Sequence, residues 1–180
     1  LSVQALKDAN SFGYVRGRAF NAARLGRVLR LAGRRREAEA NLRDALDDFN
    51  ITGDVALYAE ARLLLASLVA ERGDAVAARY ILDESLRRVR TMRLERLIGV
   101  GLRVALLIAT HIGDANEAAM ALAALGSGDA DEEAPAAIVR WWRLRGDMDR
   151  AQAVPRPEGS GYGSLSWDLQ VAHMQLAMND

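Results

Sequence analysis

The sequence contains no cysteine and only three prolines among its 180 residues. Without cysteine the chain forms neither disulfide bonds nor thiolate metal sites, so the class of small disulfide-rich extracellular proteins is excluded. The scarcity of proline leaves long segments free to form uninterrupted helices. The chain also lacks a run of about 18 apolar residues, the length that a membrane-spanning helix requires. We therefore expect a cytoplasmic protein that does not enter a membrane.

Charge is balanced over the whole chain, with 24 basic and 24 acidic side chains, but its distribution is uneven. Residues 1–50 carry 10 Lys or Arg and 6 Asp or Glu, whereas residues 101–150 carry 5 and 8. All the basic residues except Lys7 are arginines. We expect a basic end and an acidic end, an arrangement that can steer a charged partner.

A repeat with an offset of 40 residues organises the sequence. The residues that recur in phase are Gly33, Gly73 and Gly113, then Ala38, Ala78 and Ala118, then Leu42, Leu82 and Leu122. Each glycine suits the end of a first helix, where a residue with positive φ is needed. Each alanine lets a second helix approach the first, and each leucine continues an apolar stripe at helical spacing. The repeat therefore predicts a series of helical hairpins.

This pattern resembles the tetratricopeptide repeat. The first copy places Leu25, Gly26, Leu29, Gly33, Ala38, Leu42 and Ala45 at the positions of that motif in order. The period exceeds the usual length of about 34 residues, and the signature tryptophan, tyrosine and terminal proline are missing. The resemblance covers roughly residues 1–151. It implies an all-α fold, a right-handed superhelix of about four helical hairpins followed by a C-terminal helix.

The repeat also predicts the organisation of the chain. Residues 1–13 match the end of a truncated preceding repeat, so we expect a fragment of a longer protein. Residues 14–154 form the repeat array, residues 155–164 a flexible loop rich in proline, glycine and serine, and residues 165–180 a C-terminal capping helix. Helices of the first three copies are expected over about 14–31, 35–49, 55–71, 75–91, 94–112 and 115–125. Asp74 and Asp114 follow turn glycines and are expected to cap the next helix.

The resemblance implies a binding surface. In tetratricopeptide arrays the concave face is built mainly from the first helix of each hairpin, helix A. The matching positions give the candidate set Phe20, Arg27, Arg30, Leu63, Ser67, Arg103, Leu107, His111, Arg140 and Arg143. Arginines bind carboxylates or phosphates through paired hydrogen bonds. In the alternative interpretation these arginines are solvated or paired with neighbouring Asp and Glu.

No metal, cofactor or catalytic group is expected. The only histidines, His111 and His173, have no partner at metal-ligand spacing, and His111 suits the C-terminal end of a helix. Trp141 and Trp142 either form a stacking platform for bases or divide between core and surface, with Trp142 at the core aromatic position of the repeat. No nucleophile, base and orienting acid occur as a set, so we do not expect an enzyme.

These features predict a scaffold for protein–protein interaction or effector sensing, with a peptide or protein segment bound in its concave groove. Arginine-rich repeats of this length resemble the sensor arrays of large bacterial signalling ATPases and transcriptional regulators. The expected partners are an acidic peptide or protein segment and other domains of the same longer chain. One alternative is nucleic-acid binding through the arginine-rich N-terminal half. Another is an accessory domain of an enzyme whose catalytic part is absent.

Overall fold

The structure is a computed structural model that describes residues 14–126, 134–144, 147–154, 168, 171 and 172. These residues are helical apart from turns and contain no strand, so the all-α prediction is confirmed for this part of the chain. The described α-helices are α1 Val15–Leu31, α2 Arg35–Thr52, α3 Val55–Glu71, α4 Ala75–Thr91, α5 Ile98–Ile112, α6 Ala115–Gly126, α7 Ala134–Leu144 and α8 Met148–Gln152. A short 3-10 helix spans Glu95–Leu97.

The helix bounds agree closely with the repeat. Helices α3 and α4 have the predicted bounds. Helix α2 continues past the predicted end to Thr52, because nothing in its sequence breaks the helix before Gly53. The segment expected to open α5 is the 3-10 helix Glu95–Leu97. The predicted segments 1–13 and 155–164 lie outside the described residues, and of residues 165–180 only Asp168, Val171 and Ala172 are described, all helical.

The chain divides into two compact units, Leu1–Leu97 and Ile98–Asp180. In the first unit α1 packs against α2, α3 packs against α4, and α3 also contacts α1 and α2. Residues 63–70 of α3 are all buried, so this helix is covered on every side. Helices α1, α2 and α4 bury only one face each, as expected for helices with polar residues on the opposite face.

The positions that recur in the repeat form the cores of the hairpins. Ala38, Ala78 and Ala118 are all buried, as are Leu42 and Leu82. The position of Ala45 in the first copy is occupied by the buried Ser85 in the second. The Ser85 hydroxyl donates a hydrogen bond of 2.6 Å to the carbonyl of Ile81, so the polar replacement is satisfied within its own helix.

In the second unit α5 and α6 form a hairpin, α7 packs against both, and α8 packs against α7. Trp141 is buried with Leu106 and Leu125 in the main apolar cluster. Trp142 is only partly buried, and the guanidinium of Arg150 lies 4.7 Å from the centre of its ring. The sequence interpretation that placed Trp142 in the core is therefore wrong, because Trp141 is the buried ring and Trp142 packs against the apolar clusters while partly exposed.

The hairpin turns have one design. Gly33, Gly73 and Gly113 have φ values of 74°, 91° and 76°, and no heavy atom lies within 4 Å of a Cβ added to any of them. Glycine is therefore needed for its backbone conformation and not for space. The predicted caps are confirmed, since Asp74 and Asp114 each accept a hydrogen bond from the backbone N–H three residues later. Asp54 and Asp147 form the same cap.

The turn that follows α4 has arginine, and not glycine, at its position of positive φ. Gly53, between α2 and α3, has a φ of 71°, and the residue 40 positions later is Arg93, with a φ of 54°. The backbone N–H of the following residue, Leu94, still donates to Val89, as that of Asp54 donates to Phe49. An arginine therefore occupies a left-handed conformation that costs a side chain about 1–2 kcal/mol.

We expect Arg93→Gly to raise the free energy of unfolding by about 1 kcal/mol, because glycine adopts this conformation without steric conflict. Urea unfolding followed by circular dichroism measures the change. The matched control is Gly53→Ala, which should lower the stability by a similar amount. A destabilised Arg93→Gly variant would show that the arginine side chain stabilises the turn.

Candidate partner-binding surface

Helix α1 carries the most exposed apolar member of the candidate set. Phe20 is 42% exposed, and the guanidinium of Arg24 lies 5.5 Å from the centre of its ring. Arg27 is half-buried and interacts with other residues of the chain. An exposed aromatic ring beside a cation is a surface that binds apolar groups and carboxylates together.

Arg30, at the end of α1, forms a largely buried ion pair within the protein. Its Nη1 atom lies 3.0 Å from Oε1 of Glu71 at the end of α3, and only 10% and 8% of the two side chains are exposed. Arg35, at the start of α2, approaches the other carboxylate oxygen at 3.8 Å. The ion pair joins the end of α1 to the end of α3, so it contributes to the packing of the first hairpin against the second.

Three apolar or small members of the set are buried. Leu63 has no exposed surface, and Ser67 and Leu107 are also buried. In this conformation their side chains pack inside the protein, so a partner would reach the exposed members first. The family resemblance placed them on the concave face, but residues 63–70 of α3 are all buried, and Leu107 of α5 is buried as well.

The second unit carries the remaining members. Arg103, Arg140 and Arg143 are partly exposed, and Arg103 and Arg140 interact with other residues of the chain. His111 is exposed, and its Nδ1 atom lies 2.9 Å from the carbonyl oxygen of Leu107. This contact places the imidazole at the C-terminal end of α5, as predicted.

Ion pairs between helices or turns also engage arginines of the first unit that lie outside the candidate set. Each links an arginine to a carboxylate of another helix or turn: Arg16 to Asp54, Arg18 to Asp48, Arg62 to Glu84, Arg72 to Glu39 and Arg96 to Glu60. None of these arginines belongs to the candidate set. Their carboxylates lie 22 to 38 residues away in the sequence, so no local pattern identifies them.

The sequence did not predict the cluster of two arginines around the Tyr58 ring. The guanidinium groups of Arg62 and Arg88 lie 5.9 and 5.3 Å from the centre of the Tyr58 ring. Both arginines also contact Glu84, at 2.5 and 3.5 Å. Burial lowers the pKa of the Arg62 guanidinium, but the hydrogen bonds to Tyr58 and Glu84 raise it by more, so the net pKa is above its ordinary value. The only sequence signal was the four-residue spacing of Tyr58 and Arg62.

The end of α4 forms a second exposed basic surface. Arg87, Arg90 and Arg93 are exposed, and they lie within seven residues that contain no acidic side chain. Cations at a helix C-terminus are stabilised by the helix dipole. A count of arginines along the sequence would have found this cluster, because it lies in one continuous stretch.

Among the described residues no group of histidines and carboxylates is placed to hold a metal ion. The helices of that part of the chain are too short or too polar to cross a membrane. Comparisons with models of known families, with curated proteins and with solved structures found no match for this chain.

Proposed function

We propose that this chain is a helical-repeat interaction module that binds an acidic peptide or protein segment along the exposed surfaces of its helices A. The hairpins would continue one another as a right-handed superhelix, and the bound segment would lie in its concave groove. The module would act as the regulatory part of a larger bacterial signalling or transcription-regulating protein, where it receives an effector or another domain.

The observation that carries this proposal is the surface of α1. Phe20 remains 42% exposed although 31 other apolar residues of the described chain are buried, and it lies against the Arg24 guanidinium. Aromatic residues and arginine are both enriched at protein interfaces relative to the rest of the surface. The turns, caps and small core residues of the hairpins supply a rigid frame that holds this surface in place.

The repeated hairpin also supports a binding role over a catalytic one. Stacked hairpins of this type create extended surfaces and bury a continuous core between neighbours. The arginines of the candidate set offer charge and hydrogen-bond donors but neither a nucleophile nor a base.

The test is affinity capture from a lysate of the source organism, with Phe20→Ala, Arg27→Glu and Arg140→Glu combined in one variant. A protein bound by the native chain should be lost by the variant, with an affinity at least about tenfold weaker, since hot-spot substitutions cost about 2 kcal/mol or more. Arg30 is left intact because its pairing with Glu71 belongs to the fold.

The matched control is Arg36→Glu, which reverses an exposed charge on α2 outside the candidate set. Circular dichroism establishes that both variants remain helical. Equal capture by the native chain and the triple variant would contradict the groove proposal, as would equal losses in the triple variant and the control.

Nucleic-acid binding is a second candidate because of the exposed arginines Arg87, Arg90 and Arg93. Contacts to phosphates release counterions, so such binding weakens steeply as salt is raised. Capture repeated over a salt series, with and without nuclease, separates the two candidates. Nuclease-sensitive capture that survives the triple variant and fails with Arg90→Glu would favour nucleic acid.

A further inference from the structure

The outer face of α4 combines two exposed apolar side chains with two charges. Val76, Tyr80, Asp83 and Arg87 recur at helical spacing, and we call these four residues the α4 outer stripe. Val76 is 84% exposed and Tyr80 is 69% exposed, and both charged residues are exposed as well. The stripe faces away from α3, because the residues that α4 buries lie on its opposite side. These buried residues are Ala78, Leu82, Ser85 and Val89.

The equivalent face of the first copy has a different composition. The residues 40 positions earlier, on α2, are polar or small: Arg36, Ala40, Arg43 and Asp47. Arg43 is paired with Glu39 of its own helix at 2.7 Å. A helix of this kind needs a polar outer face, so the hairpin fold does not account for a valine and a tyrosine on the outer face of α4.

The Tyr80 ring differs from other aromatic rings of the described helices. Arginine guanidinium groups lie 4.7 to 5.9 Å from the ring centres of Phe20, Tyr58 and Trp142. Among the described residues no arginine lies over the Tyr80 ring, although Tyr80 is more exposed than Phe20. The favourable contact between an aromatic face and a cation is therefore still open at Tyr80.

Arg87 is an exposed cation that has no partner in the described part of the chain. Asp83 precedes it by four residues, the spacing at which Glu84 and Arg88 approach to 3.5 Å. The aspartate side chain is one methylene shorter than glutamate, and Asp83 and Arg87 form no ion pair. Tyr80 lies seven residues before Arg87 on the same face, about 10 Å along the helix axis, so the two side chains do not meet within one chain.

A second copy of α4, packed antiparallel, supplies what each of these side chains lacks. Helices related by a two-fold axis run in opposite directions, so pairs of residues meet reciprocally. With the axis near Asp83, Tyr80 lies opposite Arg87 of the other copy, and this contact occurs twice. Asp83 then lies within one helical turn of the same guanidinium, and Val76 lies within one turn of the arginine's aliphatic stem.

We propose that the α4 outer stripe is a self-association surface, at which two copies of this chain form an antiparallel two-fold dimer. The Arg87 guanidinium of each copy stacks on the Tyr80 ring of the other, and Asp83 balances its charge. One helix face buries less than the roughly 800 Å² per partner of stable complexes, so we expect a reversible dimer with a Kd in the micromolar range. No residue of the stripe belongs to the candidate set on the helices A, so the dimer does not depend on segment binding.

Sedimentation velocity of the purified, nuclease-treated full chain tests the dimer over protein concentrations from about 5 to about 500 µM. The native chain should change from monomer to dimer across this range. Tyr80→Arg should weaken the dimer at least about hundredfold, because it places two guanidinium groups together and the repulsion occurs twice. Tyr80→Arg combined with Arg87→Tyr exchanges the two residues and restores both reciprocal contacts, so it should recover most of the lost affinity.

Ala40→Arg is the matched control, because it places the same charge at the equivalent exposed position of α2. It should leave the Kd unchanged, and circular dichroism should show the native helical content for every variant, since all the substituted positions are exposed. A monomer at the highest concentration, a dimer unaffected by Tyr80→Arg, or a double variant as dissociated as the single one would overturn the proposal. The segment-binding proposal would stand in each case, because its test uses Phe20, Arg27 and Arg140.

The absence of cysteine allows a second test of the same arrangement. Asp83→Cys places one thiol of each copy beside the two-fold axis, so a short bismaleimide should join two copies into a covalent dimer. Arg43→Cys, at the equivalent exposed position of α2, should remain monomeric under the same conditions. Equal crosslinking of the two variants, or no crosslinking of Asp83→Cys, would contradict the antiparallel dimer.

Discussion

Replacing Glu71 with alanine is expected to lower the free energy of unfolding by about 3 kcal/mol. The substitution removes the Glu71 carboxylate from the Arg30 guanidinium at a position where only 10% of the arginine side chain is exposed. A charge that is kept from water and has lost its counter-charge is strongly destabilising, whereas an exposed pair contributes little. Thermal unfolding should shift by roughly 10 °C for a chain of this size.

The matched control removes both charges. Arg30→Met combined with Glu71→Leu replaces the ion pair by apolar side chains of similar size, and it should recover most of the lost stability or exceed the native value. A double variant as unstable as Glu71→Ala would show that the charges hold the hairpins together in a way that packing does not replace. A single variant of native stability would contradict the buried character of the pair.

Truncating Leu42 to alanine is expected to cost about 3 kcal/mol, because this side chain has no exposed surface and its removal leaves a cavity between α1 and α2. The side chain packs against the backbone at Gly26. A Cβ added to Gly26 would lie 2.8 Å from the Cγ atom of Leu42 and 3.2 Å from the carbonyl oxygen of Ala38. Urea unfolding gives the free-energy change directly.

The contact between Gly26 and Leu42 also predicts that Gly26→Ala changes the stability in opposite directions in the native and Leu42→Ala backgrounds. In the native background Gly26→Ala should destabilise the protein by about 1 kcal/mol, because crowding outweighs the gain in helix propensity. In the Leu42→Ala background the added methyl group enters the cavity, so the same substitution should be stabilising. A double-mutant cycle measures this coupling. Additive effects would indicate that the two helices do not approach closely at this point.

The turns and cores could be predicted from the sequence because they depend on local chemistry repeated in phase. Each of these features requires a particular residue type that is visible in the sequence. A turn with positive φ requires glycine, a helix N-terminus is capped by aspartate, and a close helix contact requires a small residue. Gly73, Asp74 and Ala78 show all three in one copy. The left-handed conformation of Arg93 could not be predicted in this way, because arginine does not favour positive φ and the surrounding structure must impose it.

The candidate surface was less predictable. Offsets from the turn glycine identified Phe20 as exposed but also included Leu63, which is completely buried. Periodicity fixes which residues share a helix face, but it does not fix how many neighbours that helix has. Among the described helices, α3 packs against α1, α2 and α4, whereas α1 packs chiefly against α2, and equivalent positions of the two differ in exposure.

The sequence by itself determined the helices, their glycine turns, their aspartate caps and the small residues of the cores, since these follow from backbone conformation and spacing within about 40 residues. Only the tertiary structure decided which arginines are engaged in the fold. Arg30 and Arg24 both lie on α1, yet one is paired with a buried carboxylate 41 residues away and the other lies exposed on an aromatic ring. Charge pairing depends on distance in space, and the packing of whole helices sets that distance.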